Sequence, residues 1–148
     1  MKLSTKIRYG TRLMIDIAAN SSQGPVLLGD ISKRQRISEK YLWNLAAPLK
    51  AAGYITAQRG VKGGYSLTRE AEGITVKDIV TVLEGPVALV DAKESKKDGA
   101  VTADIWNRAS KEMEKVFSSY KLSDLAAQEV RMRPAAKPIM KGYAIFGV

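Results

Sequence analysis

In Tyr54-Ile55-Thr56-Ala57-Gln58-Arg59-Gly60-Val61-Lys62-Gly63-Gly64-Tyr65-Ser66-Leu67-Thr68 the apolar period changes from helical spacing to alternation. Tyr54–Arg59 reads as a strand, Gly60–Gly64 as a glycine-rich turn and Tyr65–Thr68 as the return strand. Glycine lets such a turn take positive φ without a Cβ clash. Upstream, Ser38 is placed to cap a helix that carries Glu39 at its positive end, runs to Ala52 and stops at Gly53. Pro48 lies inside it, and an interior proline costs about 3 kcal/mol. Leu42, Leu45, Ala46 and Leu49 nevertheless keep one apolar face, which predicts a helix kinked at Pro48 rather than ended there.

Two more helices precede this one. Ser4 or Thr5 caps the first, which runs to about Asn20 with Ile7, Thr11, Met14, Ile17 and Ala18 on one face. Asn20–Pro25 is turn chemistry. Leu28–Gln35 forms the second, with Leu28 and Ile31 inward, and Arg36-Ile37 is a brief connection to the third. The order helix, helix, turn, helix, hairpin is that of a winged helix-turn-helix.

Downstream, Thr75-Val76-Lys77-Asp78 resembles a capping box opening a fourth helix, with Val76, Ile79, Val80 and Leu83 inward and Gly85-Pro86 as its stop. Residues 87–102 read as a loop. A longer helix follows from about Thr102 to Tyr120, in which Trp106, Ala109, Met113, Val116 and Tyr120 keep the 3-4-3-4 spacing of a coiled-coil seam. Those side chains either cover the domain's own core or pair two copies of the chain. A small winged domain has little core left to cover, which favours dimerisation. A short helix is expected over Ser123–Val130, and the tail from Arg131 to Val148 carries no assignment. The expected fold is mainly α with a small two-stranded β-wing and a long C-terminal dimerisation helix. Its parts are a winged DNA-binding domain (1–84), an effector or cluster-type loop (85–102), a dimerisation helix region (103–130) and the tail (131–148).

Charge gives the first functional signal. The 148 residues hold 24 Lys and Arg against 15 Asp and Glu, for a formal charge of +9. The first 68 residues account for +8 of it, with eleven basic side chains opposed by Asp16, Asp30 and Glu39. A basic half joined to a nearly neutral half fits a polyanion-binding module fused to another function better than a merely solubilising surface. The chain has no cysteine and no histidine. That removes disulfides, thiolate and imidazole metal sites, cysteine nucleophiles and any Ser-His-Asp relay. An enzyme would then need convergent carboxylates, but Asp16, Asp30, Asp78 and Glu84 are separated singles at cap or helix-face positions. Met1–Lys6 lacks a secretory apolar stretch, and no apolar run reaches the roughly 20 residues of a membrane span. A cytoplasmic, non-membrane protein is expected.

In a winged helix-turn-helix the helix after the turn enters the major groove and meets base edges with its N-terminal residues. Ser38, Lys40, Tyr41 and Asn44 occupy that stretch. Lys40, Tyr41 and Asn44 are the expected base readers, Asn because it pairs bidentately with adenine. Ser38 also suits a cap and Tyr41 also suits packing. Arg59, in the wing, is assigned to the minor groove. Lys2, Lys6, Arg8 and Lys62 are assigned to phosphates, with Gly63 in the wing turn among the contacts. Two recognition helices in a two-fold dimer match a palindromic duplex. The rival reading is a winged-helix module that contacts protein without specific DNA readout.

Several of these stretches resemble the IscR/CymR/NsrR-like family of bacterial winged-helix transcription regulators. They are Met1–Gly10, Ile37-Ser38-Glu39-Lys40-Tyr41-Leu42, Arg59-Gly60-Val61-Lys62-Gly63-Gly64-Tyr65-Ser66-Leu67, Ile74–Val80 and Leu83-Glu84-Gly85-Pro86. The likeness covers about residues 1–130, and the wing motif is its most specific part. The resemblance implies a homodimer with crossed long helices and regulation at a palindromic site. It also implies that Ala92, Ala100 and Ala103 stand where members with an iron–sulfur cluster place ligands. Alanine has no lone pair to give iron, so no cofactor is expected in this chain. Two readings stay open: a member sensing through an effector protein or small molecule, or a chain whose ligands were replaced to mimic the cluster-free form. Relatives commonly carry Glu where this chain has Trp43, so base preference cannot be copied from them; Trp43 is expected either to meet a thymine methyl or to pack inward.

Overall fold

The computed structural model describes residues 1–134. Among them the elements are α1 (Thr5–Ala19), α2 (Leu28–Gln35), α3 (Glu39–Ala51), β1 (Ile55–Gln58), β2 (Gly64–Leu67), α4 (Val76–Glu84), α5 (Ala92–Ser95), α6 (Ala100–Ser119) and α7 (Leu122–Met132), with short 3-10 turns at Ser21–Gln23 and Ala71–Gly73. The mainly helical fold with an antiparallel two-stranded wing is the one the sequence pattern implies. The tail beyond residue 134 lies outside the described residues.

Each cap has a visible cause. Ser4 accepts from the Ile7 N–H and Ser38 from the Tyr41 N–H, each at 3.2 Å. Thr75 and Asp78 form the reciprocal capping box, with Asp78 Oδ2 accepting from the Thr75 N–H at 2.8 Å and Thr75 Oγ1 from the Asp78 N–H at 3.3 Å. Pro48 is carried within α3, whose Leu42, Leu45, Ala46 and Leu49 are all buried. The apolar face outweighs the single hydrogen bond a proline removes.

The core draws Leu13, Met14 and Ile17 from α1, Ile31 from α2, Ile37, the α3 leucines, Ile55, Ile74, Ile79 and Leu83 from α4, and Leu122 from α7. The face of α1 is therefore centred on Leu13, with Gly10 also buried, rather than on Ile7 and Thr11, which are only half-buried. Gly10 is small for a reason: a Cβ there would lie 2.2 Å from Leu83 Cδ1, so its absence sets how closely α1 approaches α4. β1 and β2 pair from Ile55 opposite Leu67 to Gln58 opposite Gly64. Val26 adds a bridge on the far side of β2, exchanging two 2.8 Å hydrogen bonds with Tyr65. Gly64 permits that approach, because its φ is +139° and a Cβ would come within 2.5 Å of the Val26 carbonyl.

The C-terminal half departs from the sequence expectation in three places. The segment 87–102 is not all loop: Asp91 caps the single turn α5 through the Glu94 N–H (2.8 Å), and α6 begins at Ala100, two residues earlier than expected. α7 returns to pack along α1, with Leu122 and Ala126 buried, so the end of the 103–130 region belongs to the winged domain's own packing. Finally α6, docked on α4, buries none of its residues completely.

Candidate nucleic-acid interface

The helix-turn-helix is held by a polar cluster that the sequence reading passed over. Asp16 is fully buried in α1. Its carboxylate accepts from Arg34 Nη2 (2.7 Å) and Nε (3.0 Å), from Gln35 Nε2 (2.9 Å) and from Asn20 Nδ2 (3.1 Å). Arg12 donates to Gln35 Oε1 (3.1 Å) and to the Gln35 carbonyl. The hydrogen bond to Asp16 raises the Arg34 pKa above its usual value, against the opposing effect of partial burial. Charge-assisted bonds of this kind fix the end of α2 against α1, and α3 follows α2 after three residues, Arg36, Ile37 and the cap Ser38. In that turn Arg36 takes the left-handed conformation (φ 55°, ψ 46°), the only non-glycine residue with positive φ among those described. The turn closes through the Ile37 N–H to the Ser32 carbonyl (3.3 Å) and Ser32 Oγ to the Ile37 carbonyl (2.6 Å).

With one side of α3 in the core, its opposite side is bare. Lys40, Trp43, Asn44, Ala47 and Lys50 are all exposed and recur at helical spacing. Trp43 is 61% exposed, so it does not pack inward. Lys50 was not among the expected contacts; its place ten residues after Lys40 on the same stripe was the available signal. Tyr41 is half-buried and meets the Tyr9 ring edge-on at 5.7 Å, so it braces α3 against α1 rather than standing free. Arg8 and Arg12 lie 5.6 and 5.3 Å from the Tyr9 centroid. Ser38 is occupied as the cap.

At the wing, Arg59 and Lys62 are exposed at the tip. Gly63 is buried inside the turn, where a Cβ would sit 2.3 Å from the Gln58 carbonyl oxygen. It shapes the wing and presents no side of its own. Lys2 is also elsewhere: it borders a cavity of about 490 Å³ between the start of α1, the end of α4 and α6, along with Leu3, Glu84, Met113 and Phe117. Lys6 is exposed on α1. The structure thus brings Lys40, Trp43, Asn44 and Lys50 onto one exposed side of α3, while Lys62 borders a separate hollow with Asp30 and Arg34 and Lys2 lies at the start of α1.

The same fold recurs in known proteins. A family model described as "Rrf2: Iron-dependent Transcriptional regulator" matches residues 3–128. The chain belongs to the Rrf2 family. It is similar to Protein rrf2 of Nitratidesulfovibrio vulgaris, with 43% identity over 130 residues that cover 84% of this chain and 87% of that one. Among solved structures it is similar to CymR, the global cysteine regulator of B. subtilis (TM-score 0.76, 39% identity, 86% of this chain and 98% of that one). It is likewise similar to T. potens IscR (TM-score 0.75, 38% identity, 90% and 93%). This Rrf2-family chain is a DNA-binding transcriptional regulator, not an enzyme. No helix among the described residues is long and apolar enough to cross a membrane.

The family description names iron, so the donor set matters. Ala92 opens α5, Ala100 opens α6 and Ala103 lies in its first turn. The sequence has no Cys or His, and among the described residues no three acidic side chains converge as a metal site. The residues present do not fit a thiolate- or imidazole-held iron centre.

The expected seam on α6 divides. Trp106, Val116 and Tyr120 are exposed, as are Val101 and Ile105, and Val101, Ile105 and Val116 share one side of the helix. Met113 instead turns with Phe117 toward the cavity beside α4, and Ala109 is half-buried. The docked side of α6 is fixed by Lys77 Nζ to Glu114 (2.6 Å) and by Ser110 Oγ accepting from the Leu89 N–H (2.9 Å).

Proposed function

We propose that the chain is a homodimeric, sequence-specific repressor that binds a palindromic operator in the cytoplasm. Its input is an effector protein or small molecule, not a thiolate-ligated cluster. The observation that carries this reading is the exposed stripe of α3, Lys40, Trp43, Asn44, Ala47 and Lys50, which carries no acid, in a half-chain of charge +8 that also exposes Arg59 and Lys62 on the wing. Lys40 and Asn44 face base edges in the major groove, Arg59 enters the minor groove, and Lys6, Arg8, Lys50 and Lys62 pair with phosphates. Ala92, Ala100 and Ala103 supply no ligand.

Dimerisation rests on α6. Val101, Ile105 and Val116 form a bare apolar side on a 20-residue helix whose other side is docked, with the exposed Trp106 at its border and Tyr120 just past its end. Two such sides meeting would bury most of that surface and set two recognition helices about a two-fold axis. Repression follows from occupancy, since a dimer lying across a promoter excludes polymerase.

The test is titration of a selected palindromic duplex across salt concentrations. Four phosphate contacts per protomer give a log–log salt slope of about −7 for the dimer. Equal affinity for selected and random duplexes would favour the protein-interaction reading instead.

A further inference from the structure

The presented side of α3 carries an unusual inventory for base reading. It has no arginine, the commonest guanine reader, and no carboxylate to accept from cytosine. The one acid of the helix, Glu39, is turned back over α2: a Cβ built on Gly29 would lie 2.9 Å from Glu39 Oε1. What remains for base edges is Lys40, which can meet guanine, the Asn44 amide, and an apolar surface. Trp43 borders a shallow hollow of about 360 Å³ with Ala47, Ala51 and the Tyr65 ring of the wing. A large indole left open to water at the centre of a basic surface, between Lys40 and Lys50, calls for an anionic partner that also offers small apolar groups. Thymine 5-methyls in the major groove meet both conditions.

We infer that Trp43, with Ala47 beside it, is a specificity determinant of this regulator beyond Lys40 and Asn44: it reads thymine methyls while Asn44 reads an adjacent adenine, so the base pairs beneath these two residues are A·T. The wing agrees, because a narrow A·T-rich minor groove attracts an inserted arginine such as Arg59. The inference rests on the DNA-binding reading above and names which base pairs that surface selects.

The experiment is site selection from a random duplex pool with the full chain, followed by replacement of each thymine of the enriched site with deoxyuridine, which removes only the methyl. Each methyl taken out of water contributes about fourfold in affinity. The wild type should therefore weaken about fourfold for a substitution in one half-site and about sixteenfold for the symmetric pair. Trp43→Ala, an exposed change that leaves the core intact, should bind thymine and deoxyuridine duplexes equally. Asn44→Ala should keep the methyl effect and lose preference for adenine. An enriched site indifferent to deoxyuridine, or an undiminished deoxyuridine penalty in Trp43→Ala, overturns the inference and leaves DNA binding standing. No enrichment of any sequence would overturn the DNA reading itself and this inference with it.

Discussion

Replacing Asp16 by alanine probes the clamp that aligns the helix-turn-helix. The substitution removes the acceptor of the Arg34 pair and of Gln35 Nε2, all within 3.2 Å of a carboxylate that is fully buried. Removing one partner of a buried pair costs about 3–5 kcal/mol. Here the Arg34 side chain is 36% exposed and can turn toward water, while Asn20 keeps its bond to the Asp16 carbonyl at 2.7 Å. Both reduce the loss, to roughly 2–3 kcal/mol. In urea, with a slope of about 2 kcal/mol per M, the midpoint should fall by roughly 1–1.5 M at unchanged slope. A double-mutant cycle with Arg34→Met should return a coupling of at least about 1 kcal/mol. A loss below about 1 kcal/mol, with no coupling, would mean that the pair behaves as an exposed one and that α2 is held by its apolar side alone.

Other substitutions test the remaining links. Gly10→Val should destabilise by at least about 2 kcal/mol in the same urea assay, because the α1–α4 approach leaves no room beside Leu83. Arg36→Gly should raise stability by about 0.5–1 kcal/mol by releasing a left-handed arginine, read as a higher melting temperature. Ile105→Glu with Val116→Glu should convert a dimer into a monomer in sedimentation equilibrium while leaving the circular dichroism of the winged domain intact. Bonding to Glu114 holds the Lys77 pKa above its usual 10.5. The anchor it gives α6 is thus complete below that pH and is lost as pH rises past the elevated value, which proteolysis at graded alkaline pH should reveal.

Much of this molecule was legible from local chemistry. The Thr75–Asp78 capping box, the Ser4 and Ser38 caps and the glycine wing depend on neighbours within a few residues, so the sequence alone could place them. The same was true of the α3 stripe once the buried leucines were known, apart from Lys50. What stayed hidden depends on tertiary partners. Asp16 looked like a helix-face acid because nothing nearby in sequence shows that Arg34 and Gln35 close over it. Met113 shares the spacing of the seam, but the direction of α6 on α4 turns it inward. Gly63 looked like a contact because exposure of a turn residue cannot be read from composition. α5 was missed because one turn with no buried residue has no apolar period to detect.

The proposed regulator binds a specific duplex as a two-fold dimer through α3 and the wing. The most direct measurement is competition anisotropy on the selected palindrome against random duplex at 0.15 M salt, for the wild type and Arg59→Ala. Two chains per duplex and a preference of at least about 10³ for the selected site are expected. Arg59→Ala should lower specific affinity by about 1–3 kcal/mol. One chain per duplex, no preference, or full affinity in Arg59→Ala would contradict this mode of binding.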